Sequence, residues 1–354
     1  MEKAHALLLA GGKGRRFWPM SREARPKAML SLSGDESLLE TTISRIESII
    51  PAKRRWIVVP DHLKEGVEGL EAGVIVEPEA RDTAAAIIFA TLKIEASDPG
   101  STILVLPADH AIDDVATFCR VLEEAVVFVE KHPDRLVTLG VTADRLAPMY
   151  GHIEVSELPA GTPNVWAPVT RFVEKPGVAE AQALLDGGHL LFNSGIFVWK
   201  GTALLENVRR HSPDLGPHLE GLESALATGG DGVLEAYRKM PRTSIDFGLL
   251  EKVPELWVRK LAVRWQDLGS WSALHDLLEK DERGNAITAG RGLAVDSKGC
   301  LLRASGGRLV LLFGCENLAV IDEGDVLLVM PLEKSGETGA LSKILEAEDL
   351  KELL

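Results

Sequence analysis

Cysteine is scarce in this 354-residue chain. There are only three, Cys119, Cys300 and Cys315, and no two share a Cys-x-x-Cys spacing. A zinc knuckle and a disulfide framework are both unsupported, and the usage suits a reducing compartment, so a cytoplasmic location is expected. Long apolar runs are also missing. None approaches the roughly 20 residues a membrane helix needs. The first apolar stretch, Ala4–Ala10, meets Gly11-Gly12 too soon for a signal peptide with a cleavage site. Positive charge is in deficit, with a formal net charge of −14. A chain this acidic is not expected to coat nucleic acid or an anionic bilayer. The deficit is uneven: residues 1–30 hold seven basic and two acidic groups, a local +5, which leaves −19 on the rest. An anion smaller than a polynucleotide is expected near the amino terminus.

What is present fits an ordinary globular protein, 45% hydrophobic and 26% charged. Its length predicts two domains, or one large domain with an appendage. Short apolar strands (His5–Ala10, Trp56–Val59, Gly73–Val76, Thr102–Leu106, Leu136–Val141) alternate with helical spacing at Ser37–Ile50, His62–Leu70, Thr83–Ala96 and Val115–Lys131. That order predicts an α/β domain of Rossmann-like type, with a mixed, mostly parallel sheet and helices on both faces. Further strands are expected at His152–Ser156, Val169–Val173, Leu191–Val198 and the alternating Leu256–Trp265, with helices at Ala179–Leu185, Ala203–Arg210, Gly232–Lys239 and Trp271–Glu279. Past a charged turn at Asp281–Asn285, glycine-bounded apolar pieces recur every eight to ten residues as far as Met330. They predict a small β-rich carboxyl-terminal domain, such as a few β-helix-like coils would form, closed by a helix over Ala340–Leu354. The expected domains are therefore 1–283 and 284–354. The β segment or the closing helix also offers a surface for association as a homodimer.

The chemistry concentrates at Leu7-Leu8-Leu9-Ala10-Gly11-Gly12-Lys13-Gly14-Arg15-Arg16-Phe17-Trp18-Pro19-Met20-Ser21-Arg22, followed by Pro26-Lys27. A glycine-rich turn after a buried strand lets backbone N–H groups approach phosphate oxygens. Two common nucleotide motifs are excluded. A Walker A loop needs Ser or Thr after its Lys, and Lys13 is followed by Gly14. The dinucleotide pattern starting at Gly12 needs glycine where Phe17 stands, which also removes a nicotinamide-dependent dehydrogenase. Arg16 offers a fork and Lys27 a point charge to phosphate.

This segment closely resembles the sugar-nucleotide pyrophosphorylase signature G-G-x-G-x-R-x-x-P-x-S…P-K, and its Trp18–Arg22 continuation looks most like the mannose-1-phosphate guanylyltransferase branch. Ordered motifs extend the resemblance over about residues 5–275: Glu77-Pro78 with Arg81-Asp82-Thr83, Leu106–His110, Phe172–Pro176, Asn193–Phe197, Ser244–Phe247 and Trp265–Trp271. The resemblance implies transfer of GMP from GTP to mannose 1-phosphate, giving GDP-mannose and pyrophosphate by in-line attack on the α-phosphorus; the alternatives are another sugar 1-phosphate or nucleotide, or a catalytically silent homologue that senses a sugar nucleotide. It also implies the monofunctional form, without an isomerase domain. It places Leu9, Ala10, Gly11, Gly12, Gly14, Arg16, Glu77, Pro78, Asp82, Thr83 and Asp109 on the nucleotide, with Glu77 facing guanine. Lys27, Gly151, Glu174, Lys175, Asn193 and Gly195 go to the sugar phosphate. Asp109 and Asp267 hold Mg²⁺, and with Arg16 and Lys27 they form the catalytic set. His110 is read as a packing neighbour, Thr83 also as a cap, and Trp18, Trp265 and Trp271 as core. Two departures, Ala147-Pro148-Met149 for the usual Glu-Thr-Gly and His152 for a common tyrosine, lie beside the inferred sugar pocket.

Overall fold

The computed structural model describes residues 1–12, 14–32, 34–157 and 165–354. Contacts divide the chain into two compact units. The first comprises Met1–Ala10, Ile43–Ala108 and Ile112–Trp265, and the second Gly11–Thr42, Asp109–Ala111 and Gln266–Leu354. The turn at Asp281–Asn285 lies inside the second unit, closed by Gly284 N donating to Asp281 O.

The first unit is built on nine strands: β1 (Ala4–Leu9), β2 (Arg55–Pro60), β3 (Gly73–Glu77), β4 (Thr102–Pro107), β6 (Leu136–Thr142), β7 (His152–Val155), β8 (Trp166–Val173), β9 (Leu190–Lys200) and β10 (Leu256–Lys260). Their order is β3-β2-β1-β4-β9-β6-β10-β8-β7. Pairing is parallel through β3-β2-β1-β4 and between β6 and β10. It is antiparallel where β9 meets β4 and β6, and where β8 meets β10 and β7. The sheet is thus mixed, with its parallel part over the βαβ run that the sequence pattern shows. Strands buried on both faces read as unbroken apolar runs, as in Ala4–Leu8 and Thr102–Leu106. The helix Asp82–Ser97 contributes Ala84–Ala90 to the core beside Ile103, Val105 and Trp199.

Three expectations are corrected, and one helix is added. His62–Leu70 forms two 3₁₀ turns, Asp61–Leu63 and Glu65–Val67, because nine residues holding Gly66 and Gly69 are too short and too glycine-rich for a stable helix. Leu256–Trp265 is not one strand. It breaks into β10 and β11 (Trp265–Asp267), which belong to different sheets. The alternation misleads there because Arg259 is wholly buried, held by an ion pair with Glu124. The closing segment is not one helix either: a 3₁₀ stretch Leu332–Ala340 leads into the helix Leu341–Ala347, and Asp349 at φ 58° ends it. A helix at Gly216–Thr228 was not read from the sequence at all.

In the second unit β12 (Ala286–Val295), β13 (Leu301–Phe313) and β14 (Leu318–Asp322) stack in parallel through short connections, and β15 (Leu327–Pro331) adds antiparallel. Successive parallel strands joined by so few residues make solenoid-like coils. Leu301, Ala319, Ile321 and Met330 of these coils pack with Phe17, Leu30, Leu268 and Trp271 in one core cluster. Among the described residues no helix is long and apolar enough to cross a membrane.

Candidate active site

In the second unit the signature loop leaves β1 and tightens at Gly14. Gly14 has φ +62°, and a Cβ there would lie 2.8 Å from Lys27 N and 2.9 Å from Lys27 Cα. Glycine is therefore required twice, by the left-handed backbone and by the close approach of a second segment. Ser21 Oγ closes the loop by donating to Gly14 O at 2.8 Å. The 3₁₀ turn Arg15–Phe17 then directs Phe17 into the core, edge-on to Trp271 at 5.0 Å. A Cβ at Gly12 would meet nothing within 4 Å, so the loop is open on that side. Lys13 lies outside the described residues.

Asp109 directly precedes β5 (His110–Ile112), which pairs with β11 (Trp265–Asp267). This short ladder brings together two carboxylates 158 residues apart in sequence. Lys27 Nζ bridges them, donating to Asp109 Oδ2 at 2.5 Å and Asp267 Oδ1 at 3.1 Å. Burial alone would lower the Lys27 pKa, but the two carboxylates more than offset it, and the ammonium is held above its ordinary value. Burial would likewise raise Asp109, yet Lys27 and His110 together hold it below its ordinary value. Donor atoms of Asp109, His110 and Asp267 all lie within 4.8 Å of one another. His110, read from sequence as a neighbour, thus stands within the donor cluster. The set fits a hard divalent cation: two carboxylate oxygens suit an ion that keeps several waters. Gly269 completes the geometry. A Cβ there would lie 3.1 Å from Arg16 Nη1 and 3.4 Å from Asp267 Oδ2, so the exposed Arg16 guanidinium and the Asp267 carboxylate flank this glycine. Trp271 is fully buried and Trp18 donates its indole N–H to Leu353 O at 2.7 Å, which accords with structural roles.

Two further clusters belong to the first unit. Glu77 ends β3, buried, and accepts from Tyr237 Oη at 3.0 Å. Burial pushes Glu77 up to about 6, with Tyr237's donation opposing and Asp82 adding. The same burial drives the Tyr237 phenol well above its ordinary value. Pro78 and Glu79 follow, and Glu79 is gripped by Arg81, Arg238 and Arg242. Asp82 is exposed at φ 66° and accepts from Thr83 N at 2.7 Å. Such a conformation costs about 1–3 kcal/mol and is held by its surroundings. Thr83 does not cap the helix; its hydroxyl accepts from Ile245 N at 2.9 Å and ties this segment to the Ser244–Phe247 motif.

The third cluster joins all the first-unit residues expected at the sugar phosphate. Asn193 N donates to Gly151 O at 2.8 Å. A Cβ at Gly151 would lie 2.5 Å from Glu174 Oε2 and 2.9 Å from Asn193 Cβ, so only glycine fits. Asn193 Oδ1 accepts from Thr138 Oγ1 at 3.0 Å and from Gly195 N at 3.1 Å, which fixes the amide orientation. Its Nδ2 then donates to Asp246 Oδ1 at 3.0 Å. Lys175, at φ 48°, donates to Glu174 Oε1 at 2.5 Å and is well exposed. Asp246 is a residue that sequence reasoning left without a role. Enclosure first, then the neighbouring Glu174, push it up to about 7. Tyr237 was missed outright, with no local pattern to mark it, whereas Asp246 sits inside the Ser244–Phe247 motif. The His152 ring is buried, bonded at 2.9 Å to Tyr150 O and edge-on to Phe192.

In the second unit the two carboxylates held by Lys27, with Arg16 beside them, are equipment for positioning and neutralising phosphates. The comparison with protein families agrees. Residues 5–284 match the nucleotidyl transferase family, and the chain belongs to it; it is a nucleotidyltransferase. Among individual relatives, alginate biosynthesis protein AlgA of Pseudomonas aeruginosa is 32% identical over 98% of this chain and 73% of its own. A mannose-1-phosphate guanylyltransferase of Salmonella montevideo is 33% identical over 91% of this chain and 70% of its own. A crystal structure from Thermus thermophilus, described as a mannose-1-phosphate geranyltransferase, superposes with a TM-score of 0.87 at 31% identity. It covers 97% of this chain and 99% of that one.

Proposed function

We propose that this enzyme transfers GMP from GTP to mannose 1-phosphate, releasing GDP-mannose and pyrophosphate. One observation carries the chemistry: Asp109 and Asp267 converge on Lys27 beside the Gly14 loop. Names borne by relatives of similar sequence support the choice of GTP and mannose 1-phosphate. Asp109 and Asp267 would hold the metal, with His110 in reach as a third donor. Mg²⁺ bound there supplies Lewis-acid stabilisation of the charge that develops at the α-phosphate.

The chain's own residues do the rest. Lys27 gives up a carboxylate contact to meet the sugar phosphate and neutralises it. Arg16 takes the departing pyrophosphate, whose charge rises as the bond to the α-phosphorus breaks. Backbone N–H groups of Leu9, Ala10, Gly11, Gly12 and Gly14 line the triphosphate path. Glu77, ionised by pH 7, accepts from the guanine N1 and N2 groups while Tyr237 fixes its orientation; Pro78, Asp82 and Thr83 frame the nucleotide. Glu174 accepts from sugar hydroxyls, Asn193 orients them, Gly151 and Gly195 give the ring room, and Lys175 adds a second positive charge at the phosphate. Residues 1–283 carry these roles and 284–354 brace them. A cytoplasmic location fits the three free thiols.

The test is pyrophosphate release by purified protein with Mg²⁺, over four nucleoside triphosphates crossed with mannose, glucose and fucose 1-phosphates. Release with GTP and mannose 1-phosphate alone, lost on chelation, is expected. Release with another pair would move the substrate assignment, and folded protein that binds GTP yet releases nothing would favour a sensing role.

Association as a homodimer is also proposed, through the outer face of β12 and β13. Leu309, Leu311 and Phe313 alternate outward, each at least half exposed, and Leu293 pairs with Leu311 in register. Such a contiguous apolar patch marks an interface. Leu311→Asp with Phe313→Asp should halve the mass seen by sedimentation; an unchanged mass would remove the idea.

A further inference from the structure

The 3₁₀ stretch Leu332–Ala340 turns two buried hydroxyls toward two different elements of the second unit. Thr338 Oγ1 stands 2.6 Å from the carbonyl of Arg16 and 2.9 Å from that of Ser335, and its single proton goes to the nearer, Arg16 O. Ser335 Oγ accepts from Ser272 N at 3.0 Å. In the same turn a Cβ at Gly339 would stand 3.7 Å from Arg15 Cβ and from Arg16 Cγ, so the stem of Arg16 runs along this backbone.

Ser272 follows Asp267 by five residues, through one hydrogen-bonded turn and the start of a helix. Gly269 N donates to Asp267 O at 2.8 Å, and Ser270 caps the helix Trp271–Leu277 by accepting from Ala273 N. One short segment therefore holds the backbone of Arg16 at one end and, at the other, the first turn of the helix that follows Asp267. The two functional side chains flank Gly269, where a Cβ would lie 3.1 Å from the Arg16 guanidinium and 3.4 Å from the Asp267 carboxylate. Neither hydroxyl lies within residues 5–284, the part matched to the nucleotidyl transferase family.

We propose that Thr338 and Ser335 are positioning residues for nucleotidyl transfer, which together set the distance from Arg16 to Asp267. The proposal rests on Arg16 acting as the pyrophosphate ligand. A displacement of about 1 Å at a reacting group can cost roughly a hundredfold in rate, so two hydrogen bonds at this lever arm matter more than their own stability contribution suggests.

The test measures magnesium pyrophosphate binding by calorimetry on the full chain, together with steady-state turnover. Thr338→Val keeps the shape and removes the donor. It should weaken pyrophosphate about tenfold and lower kcat about tenfold, with KM for the sugar 1-phosphate unchanged. Thr338→Ser should restore both to within about twofold, and Ser335→Ala should fall between. Leu345→Ala, which opens a gap in the following helix, serves as the comparator: it should lower Tm without altering pyrophosphate affinity. Pyrophosphate binding by Thr338→Val equal to the wild type overturns the proposal. So does an equal loss in Leu345→Ala at matched Tm, or a wild type that does not bind magnesium pyrophosphate. Because binding is read at equilibrium, a wild type that turns over no substrate pair but loses pyrophosphate affinity on Thr338→Val would sink the substrate reading and leave this one standing.

Discussion

Replacing Asp267 with asparagine should lower the rate of pyrophosphate release about a thousandfold while the fold survives. The cluster holds one ammonium between two carboxylates, Lys27 with Asp109 and Asp267, and so carries a net negative charge that attracts a divalent cation. Asparagine keeps the shape of Asp267 but cancels that charge. Stabilisation by a bound metal ion at a phosphoryl centre amounts to several kcal/mol, and about 4 kcal/mol corresponds to roughly three decades of rate. Asp109→Asn should behave alike. The double substitution should be little worse than either single one, because the carboxylates act as a unit. Thermal stability should change little, since Lys27 still keeps one partner. The measurement is initial rate against Mg²⁺ concentration for each variant. A rate within about tenfold of the wild type at saturating Mg²⁺ would show that the pair does not hold the metal.

Much of this was legible in the chain because close approach selects residue types that are visible one at a time. Gly14 and Gly151 stand where a Cβ would strike Lys27 and Asn193, and both were marked in the sequence by their motifs. The apolar runs of β1 and β4 named buried strands because both faces are covered. Illegible features share a different cause: they join distant residues through one hydrogen bond and leave no local pattern. Tyr237 reaches Glu77 across 160 residues, and Thr338 reaches Arg16 across 322. Neither a lone tyrosine on a helix nor a threonine between glycines announces such a partner. Asp246 was visible inside a motif, but its raised pKa arises only because folding encloses it and sets it beside Glu174. The misread strand at Leu256–Trp265 has the converse origin: alternation implies one wet face, and Arg259 occupies a buried position by pairing with Glu124.

Gly14→Ala should damage the enzyme nearly as much, and by a route that separates stability from chemistry. Alanine at φ +62° costs about 1–2 kcal/mol in backbone strain alone. Its methyl group would also fall onto Lys27 Cβ and within 3 Å of Lys27 N and Cα. Two of those three atoms are backbone, so no rotamer change relieves the clash, and overpacking of this kind adds roughly 1–3 kcal/mol. The loop must then move away from Lys27, or Lys27 must move away from the loop. The second course draws the ammonium off Asp109 and Asp267, where 2.5 and 3.1 Å contacts now hold it. Turnover should fall at least about a hundredfold, and Tm by several degrees, at roughly 2–4 °C per kcal/mol for a unit of this size. Gly12→Ala is the internal standard for stability: its Cβ would meet open space, so Tm should hold to within about 2 °C. Scanning calorimetry on both variants, with pyrophosphate release measured below the lower Tm, separates the outcomes. If Gly14→Ala loses stability but keeps its rate, the loop yields and Lys27 stays in place. If both Tm and rate match the wild type, the tight contact between the glycine loop and Lys27 is not a feature of the working enzyme.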